Sequence, residues 1–251
     1  LLMINKRQTI AKNIARYFHD GDFINLGVGI PTQSANYIPE GVEILIHAES
    51  GFAGQESAVK VPWNAWKQTR EEVEKEMANP KWADKENGWK VGHRDLCDAT
   101  GDLAILIPGA CCFDSVVSFM MARGGHLDAT VLGGLQVDEE GNLANWQVPG
   151  KNIPGMGGAM DLVSGAKKVI VAMEHCSKAG EPKILKKCTF PLTAVQCVSV
   201  LVTDLCIIEF IDGKLTVVAM APGITKEELQ EKTEAQLHFA DQIDVMDIIE
   251  D

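Results

Sequence analysis

The first residue able to do chemistry is Glu49. It follows the apolar run Val42 to His47 and is flanked by Ala48, Ser50 and Gly51. Small neighbours let a bulky substrate reach a carboxylate, which serves as a nucleophile or a general base. A second feature is Gly155-Met156-Gly157-Gly158, opening the stretch that ends at Asp161. Three glycines in four residues free the backbone for positive φ and for close approach to a ligand. Their amides suit an anion nest or an oxyanion site. A third feature is cationic: Lys178 closes Glu174-His175-Cys176-Ser177-Lys178, and Lys183, Lys186 and Lys187 follow. Each has an ordinary alternative: a surface turn acid, a flexible turn, a solvated loop.

Other chemistries lack their signatures. The glycine-rich stretch has no Lys-Ser/Thr ending, so it is not a P-loop, and Gly27-Val28-Gly29 lacks the third glycine of a dinucleotide fingerprint. HExxH and GxSxG are absent. His93-Arg94-Asp95 stands without the other motifs of a kinase.

The elements that must position these residues read as α/β. Ile10, Ile14, Tyr17 and Phe18 keep helical spacing. Strands are predicted at Phe23 to Leu26, Val42 to His47, Leu103 to Ile107, Thr130 to Leu132, Val169 to Ala172, Val198 to Thr203 and Leu215 to Ala219. Several are continuous apolar runs, the mark of parallel strands buried on both faces. A helix around Asp114 to Ala122 falls between two of them. The expected fold is an open, mostly parallel α/β sheet flanked by helices, with antiparallel structure between Thr130 and Trp146. In such sheets ligands bind beyond the carboxyl ends of the strands, where Glu49 stands.

The 251 residues are read as a single domain, 1–251. An insertion at about 57–95 holds Trp63, Trp66, Trp82 and Trp89, with a helix near Gln68 to Ala78. An acidic tail covers about 241–251. With 46% apolar and 23% charged residues, disorder is excluded for the bulk of the chain, and no apolar run reaches a membrane span. A net charge of −12 argues against nucleic acid as a partner. Seven cysteines, an odd number without CxxC, read as buried free thiols of a cytoplasmic protein, with no metal site.

Taken together, the segments resemble the family I CoA-transferases, and more closely their B (β) subunits of the 3-oxoacid and short-chain fatty-acid type. The stretches are Asn25 to Thr32, Ala35 to Pro39, Ala48-Glu49-Ser50-Gly51, Phe113-Asp114-Ser115, Arg123 to His126, Leu143 to Trp146 with Pro149 to Lys151, Gly155 to Leu162, Val169 to His175 and Pro182 to Cys188. They run in order from about Asn5 to Ala235. The family's active glutamate lies in Ser-Glu-Asn-Gly, which maps its role onto Glu49. This chain departs from that motif at Ala48 and Ser50, and it carries the insertion where the family has a short Gly/Pro loop.

The resemblance implies a CoA-transferase / ribose-isomerase-like fold and a reaction moving CoA between a short-chain acyl-CoA and a carboxylic acid, with acetoacetate and acetate or butyrate as first candidates. It implies ping-pong catalysis through a γ-glutamyl-CoA thioester on Glu49, with no metal. Gly157 and Gly158 take the oxyanion role, and Asn145 and Lys178 contact CoA. The implied partner is an A (α) subunit, in a heterodimer or heterotetramer. For a dicarboxylate substrate, Arg70, Lys81 and Arg94 are the candidate cations. The alternative is a non-catalytic subunit that binds CoA or a partner.

Overall fold

The computed structural model describes residues 4–55, 71, 72, 75, 96, 98, 104–151 and 155–250. The insertion, with its tryptophans and Arg70, Lys81 and Arg94, lies outside the described residues except for Glu71, Glu72 and Lys75, which are helical.

The described residues form strands β1 (Phe23–Leu26), β2 (Leu45–Ala48), β3 (Phe52–Gln55), β4 (Leu106–Cys112), β5 (Ala129–Gly133), β6 (Gln136–Asp138), β7 (Leu143–Ala144), β8 (Val169–Ala172), β9 (Ile184–Leu185), β10 (Val200–Val202), β11 (Cys206–Ile211), β12 (Lys214–Met220) and β13 (His238–Val245). The helices are α1 (Lys6–Ile14), α2 (Ile30–Gln33), α3 (Ser115–Arg123), α4 (Ala159–Gly165) and α5 (Lys226–Glu231). Ten strands make one sheet in the order β13-β12-β11-β10-β8-β5-β1-β2-β3-β4. Its centre, from β10 to β2, is parallel throughout. Antiparallel pairs flank it on both sides. A small second sheet, β7-β6-β9, supplies the antiparallel structure expected before Trp146.

The strand period explains the continuous apolar runs. In β8, Val169 and Val171 point into one core while Ile170 and Ala172 point into the other; β10 splits Leu201 from Val200 and Val202 in the same way. Both faces are covered, so both sets must be apolar. On one face α1 brings Ile10 and Ile14, each fully buried. Asn5 caps that helix by accepting from the Gln8 amide at 3.2 Å. On the other face lie Leu162 and Val163 of α4, Leu229 of α5, and Val137, Leu143 and Ile184 of the small sheet.

Several boundaries differ from expectation. β4 runs later than predicted, through Pro108-Gly109, because it is the last strand of the sheet and an edge tolerates proline. β11 had no counterpart in the expected strands. It pairs with β12 around Asp212-Gly213, both at positive φ, the geometry of a two-residue hairpin turn. The acidic terminus is built into the fold. β13 pairs in parallel with β12, and the segment after it is tied to α1: Asn13 Nδ2 donates to the Asp247 carbonyl at 2.8 Å, and the Ile249 amide to Thr9 Oγ1 at 3.0 Å. Among the described cysteines, all free, only Cys206 is buried; Cys111 and Cys112 are exposed on β4, against the expectation of buried thiols. The two are successive residues of a strand and point to opposite faces, so neither face of the sheet is covered at that point. No helix of the described residues is long and apolar enough to cross a membrane.

Candidate active site

Glu49 leaves the carboxyl end of β2 in a tight turn. The Gly51 amide donates to the Ala48 carbonyl at 3.0 Å, and the Phe113 amide donates to the Gly51 carbonyl at 2.8 Å. Only glycine suits position 51. Its φ is +119°, and a Cβ would overlap the Phe113 carbonyl oxygen. The turn thus fixes where the Glu49 side chain starts.

That side chain lines a cavity of about 690 Å³. The wall comes from the carboxyl ends of four neighbouring parallel strands: Gly27 to Pro31 after β1, Glu49 after β2, Leu132 to Gln136 at β5, and Ala172 to Glu174 at β8. Of the residues singled out in the sequence, Glu49, Gly158, Asn145 and Lys178 all line it. Gly157 is not among the wall residues. It precedes Gly158 with φ +54°, and a Cβ on it would meet no atom within 4 Å.

Gly158 touches the carboxylate itself. A Cβ there would stand 2.5 Å from Glu49 Oε2 and 2.7 Å from the Phe119 ring. Gly158 also begins α4, without a side chain to cap it. Burial pushes the Glu49 carboxyl above the usual range, and the nearby charge of Asp161 adds to this. Asp161 is itself paired with Arg123 at 2.7 Å, a bridge that joins α4 to α3. Among the described residues no cation pairs with Glu49. A half-buried, unpaired carboxylate facing a cavity suits a nucleophile better than a structural ion pair.

The other two predicted residues are held by their loops. Asn145 Oδ1 accepts from Thr193 Oγ1 at 2.6 Å. Lys178 sits in a turn closed by Ser177, whose Oγ accepts from the amides of Ala179 and Glu181 at 3.2 and 3.1 Å. Two more cations line the cavity, Arg7 and Lys183. Lys183 Nζ donates to the Gly134 carbonyl at 3.3 Å, and burial lowers its pKa. Glu174 and Glu181 line the cavity too, so the three cations of the wall stand against three carboxylates, Glu49 included.

Sequence reasoning missed a polar network behind Glu49. His47 and Ser118 are fully buried there with Asn25 and Thr130. The available signal was a polar residue inside each of two apolar strands. A second buried imidazole, His175, bonds Thr203 Oγ1 at 3.1 Å and Thr233 Oγ1 at 2.9 Å. Burial pushes both histidines down to about 4.

In the unfolded chain both imidazoles take up protons near 6.5, so below that pH the unfolded state binds up to two more protons. Glu49 opposes this by at most one proton, because its folded pKa is raised. Stability is expected to fall by about 1–2 kcal/mol per pH unit between pH 6 and 5. Urea unfolding at those two pH values measures it; an unchanged midpoint contradicts neutral burial of the two rings.

Comparison with known proteins gives consistent results. The coenzyme A transferase family model matches residues 93–232. The beta chain of the acetate CoA-transferase of Escherichia coli (strain K12) is 46% identical over 237 residues, covering 94% of this chain and 95% of that protein. The B-type chain of the probable succinyl-CoA:3-ketoacid coenzyme A transferase of Bacillus subtilis (strain 168) is 40% identical over 233 residues, covering 93% and 95%. Among solved structures, the acyl-CoA transferase (YdiF) apoenzyme of Escherichia coli O157:H7 superposes with a TM-score of 0.69 at 16% identity, covering 98% of this chain and 44% of that one. The last likeness bears on the fold alone.

Proposed function

The chain belongs to the coenzyme A transferase family, and we propose that Glu49 is the nucleophile of a ping-pong CoA transfer. The observation that carries this reading is the Glu49 carboxylate, unpaired among the described residues, lining the cavity against Gly158.

The Glu49 carboxylate attacks the thioester carbonyl of an acyl-CoA. The C–S bond breaks, giving an acyl-glutamyl anhydride and CoA thiolate. The thiolate attacks the glutamyl carbonyl, giving a γ-glutamyl-CoA thioester and the free carboxylate. A second carboxylate runs the steps backwards and leaves as its CoA thioester. One thioester replaces another, so no external energy source enters the balance. Carboxylates attack thioesters poorly, and contacts with the remote parts of CoA must be used at the reacting carbon. Lys178 and Asn145 take that role. The Gly158 backbone, which lines the cavity, takes the oxyanion role, where one preorganised donor contributes about 2.7–4 kcal/mol, and Gly157, off the wall, shapes the turn before it.

The substrates are a short-chain acyl-CoA and a carboxylic acid, with acetoacetate and acetate or butyrate as the pair. Val28, Ile30, Leu132 and Met156 give the cavity an apolar wall that suits an alkyl group. The partner is an A (α) subunit, in a heterodimer or heterotetramer. Relatives named as one of two kinds of subunit support this, as do Val28 and Met156, which line the cavity yet are 59% and 42% exposed. The anhydride and thioester hydrolyse unless water is excluded, and in this reading the α subunit covers that side.

The test is a panel of acyl-CoA donors and carboxylate acceptors on the chain coexpressed with its α partner. Exchange between acetoacetyl-CoA and acetate or butyrate is expected from the pair, and none from the chain alone. Full activity of the single chain would overturn the partner; a pair inert across the panel would overturn the function.

A further inference from the structure

The buried network behind Glu49 has a direction. Asn25 and His47 are register partners on β1 and β2. Asn25 Nδ2 lies 3.2 Å from the His47 carbonyl oxygen and 3.2 Å from His47 Nδ1. A carbonyl oxygen only accepts, so the atom facing it must be the amide nitrogen, which only donates. Nδ1 therefore accepts from Asn25, and the imidazole proton sits on Nε2. Nε2 lies 2.8 Å from Ser118 Oγ and donates to it. The Ser118 hydroxyl hydrogen is then turned to the Ala48 carbonyl, 3.1 Å away. At the other end, Thr130 Oγ1 donates to Asn25 Oδ1 at 3.4 Å.

The chain ends where it matters. The Ala48 carbonyl is the same group that accepts from Gly51 and closes the turn carrying Glu49. The four side chains are at most 2% exposed, so a lost bond leaves a buried polar group unpaired. The ring is also held by packing, with Phe23 edge-on at 5.4 Å and Phe113 stacked at 6.3 Å. Asn25 lines the cavity, so the network links its wall to the turn.

We propose that His47 is a positioning residue for Glu49: as the Nε2–H tautomer it passes a one-way chain of hydrogen bonds from Asn25 through Ser118 to the Ala48 carbonyl, and this aims the nucleophile. The inference rests on the nucleophilic role of Glu49. His47 touches no substrate; it acts by fixing the turn. A displacement of about 1 Å at a reacting atom is worth about 100-fold in rate.

Two measurements test it. Nitrogen NMR of the histidine rings should show His47 protonated at Nε2 and bare at Nδ1; the opposite tautomer overturns the inference. Formation of the γ-glutamyl-CoA thioester from acetoacetyl-CoA is then timed in the chain coexpressed with its α partner. His47→Leu and Ser118→Ala should each slow it about 100-fold with little change in the KM for acetoacetyl-CoA. His47→Gln keeps an N–H donor of similar reach and should stay within about tenfold of wild type. A purely structural role would lower the folded fraction without slowing the folded enzyme. Should His47→Leu fail to fold, Ser118→Ala, which removes one atom, carries the test. Wild-type rates in the variants overturn this inference alone. A wild-type enzyme that forms no thioester overturns the role of Glu49 and this inference with it.

Discussion

Glu49→Gln is expected to reduce CoA transfer by on the order of 10,000-fold or more, the scale of losing a nucleophile rather than a contact. The amide keeps the size of the side chain but cannot form the anhydride. The same substitution should raise stability at neutral pH. The Glu49 carboxyl is raised by burial and by Asp161, so ionising it opposes folding. The folded chain binds this proton more tightly than the unfolded chain, and stability is lost as pH rises from the ordinary glutamate value through the raised one. Glutamine removes that cost. Steady-state assays with the α partner and thermal melts at pH 7 check both halves. An active Glu49→Gln enzyme contradicts the role; an inactive and destabilised one contradicts the electrostatics. The acid limb of the wild-type rate should likewise sit above the usual carboxylate range, since only the ionised form attacks.

Gly158→Ala is expected to lower the rate by about 100-fold or more through displacement of the carboxylate. The new methyl would stand 2.5 Å from Glu49 Oε2 and 2.7 Å from the Phe119 ring. Phe119 is packed on α3 beside Gly158, so the Glu49 carboxylate, at the end of a flexible side chain, is the group that gives way. Overpacking of this kind also costs about 1–3 kcal/mol of stability. Gly157→Ala is the comparison. It meets open space, and its cost is the left-handed φ of +54°, about 1–2 kcal/mol. Gly158→Ala should therefore damage the rate far more than Gly157→Ala, as read by kcat and denaturant unfolding of each variant. The reverse ranking contradicts the placement of Gly158 against the nucleophile.

What was legible in the sequence follows from burial. β1 and β8 match the predicted strands residue for residue, because both of their faces are covered and every position of β8, and all but Asn25 of β1, is apolar. Glu49 was legible because a carboxylate after such a run must emerge at the ligand edge of the sheet. Gly158 was legible as a glycine, but not as the glycine touching Glu49. That contact joins segments far apart in the chain, and no local pattern encodes it. The part of β13 from Asp241 was read as the start of an acidic tail, because its exposed edge position lets Asp241 and Asp244 face water and hides the strand pattern. His47 and Asn25 went unread because a polar residue in an apolar strand becomes meaningful only once its neighbour on the next strand is known. The Asp212-Gly213 turn was there to be read, and it marks the hairpin that the apolar runs alone did not separate.

The most direct measurement is mass spectrometry of the assembled enzyme after incubation with acetoacetyl-CoA and no acceptor. The chain should gain the mass of CoA less one water. Proteolysis should place the gain on the peptide containing Glu49, and borohydride or hydroxylamine should remove it. A turning-over enzyme that never carries CoA on this chain, or carries it on any side chain other than Glu49, contradicts the account.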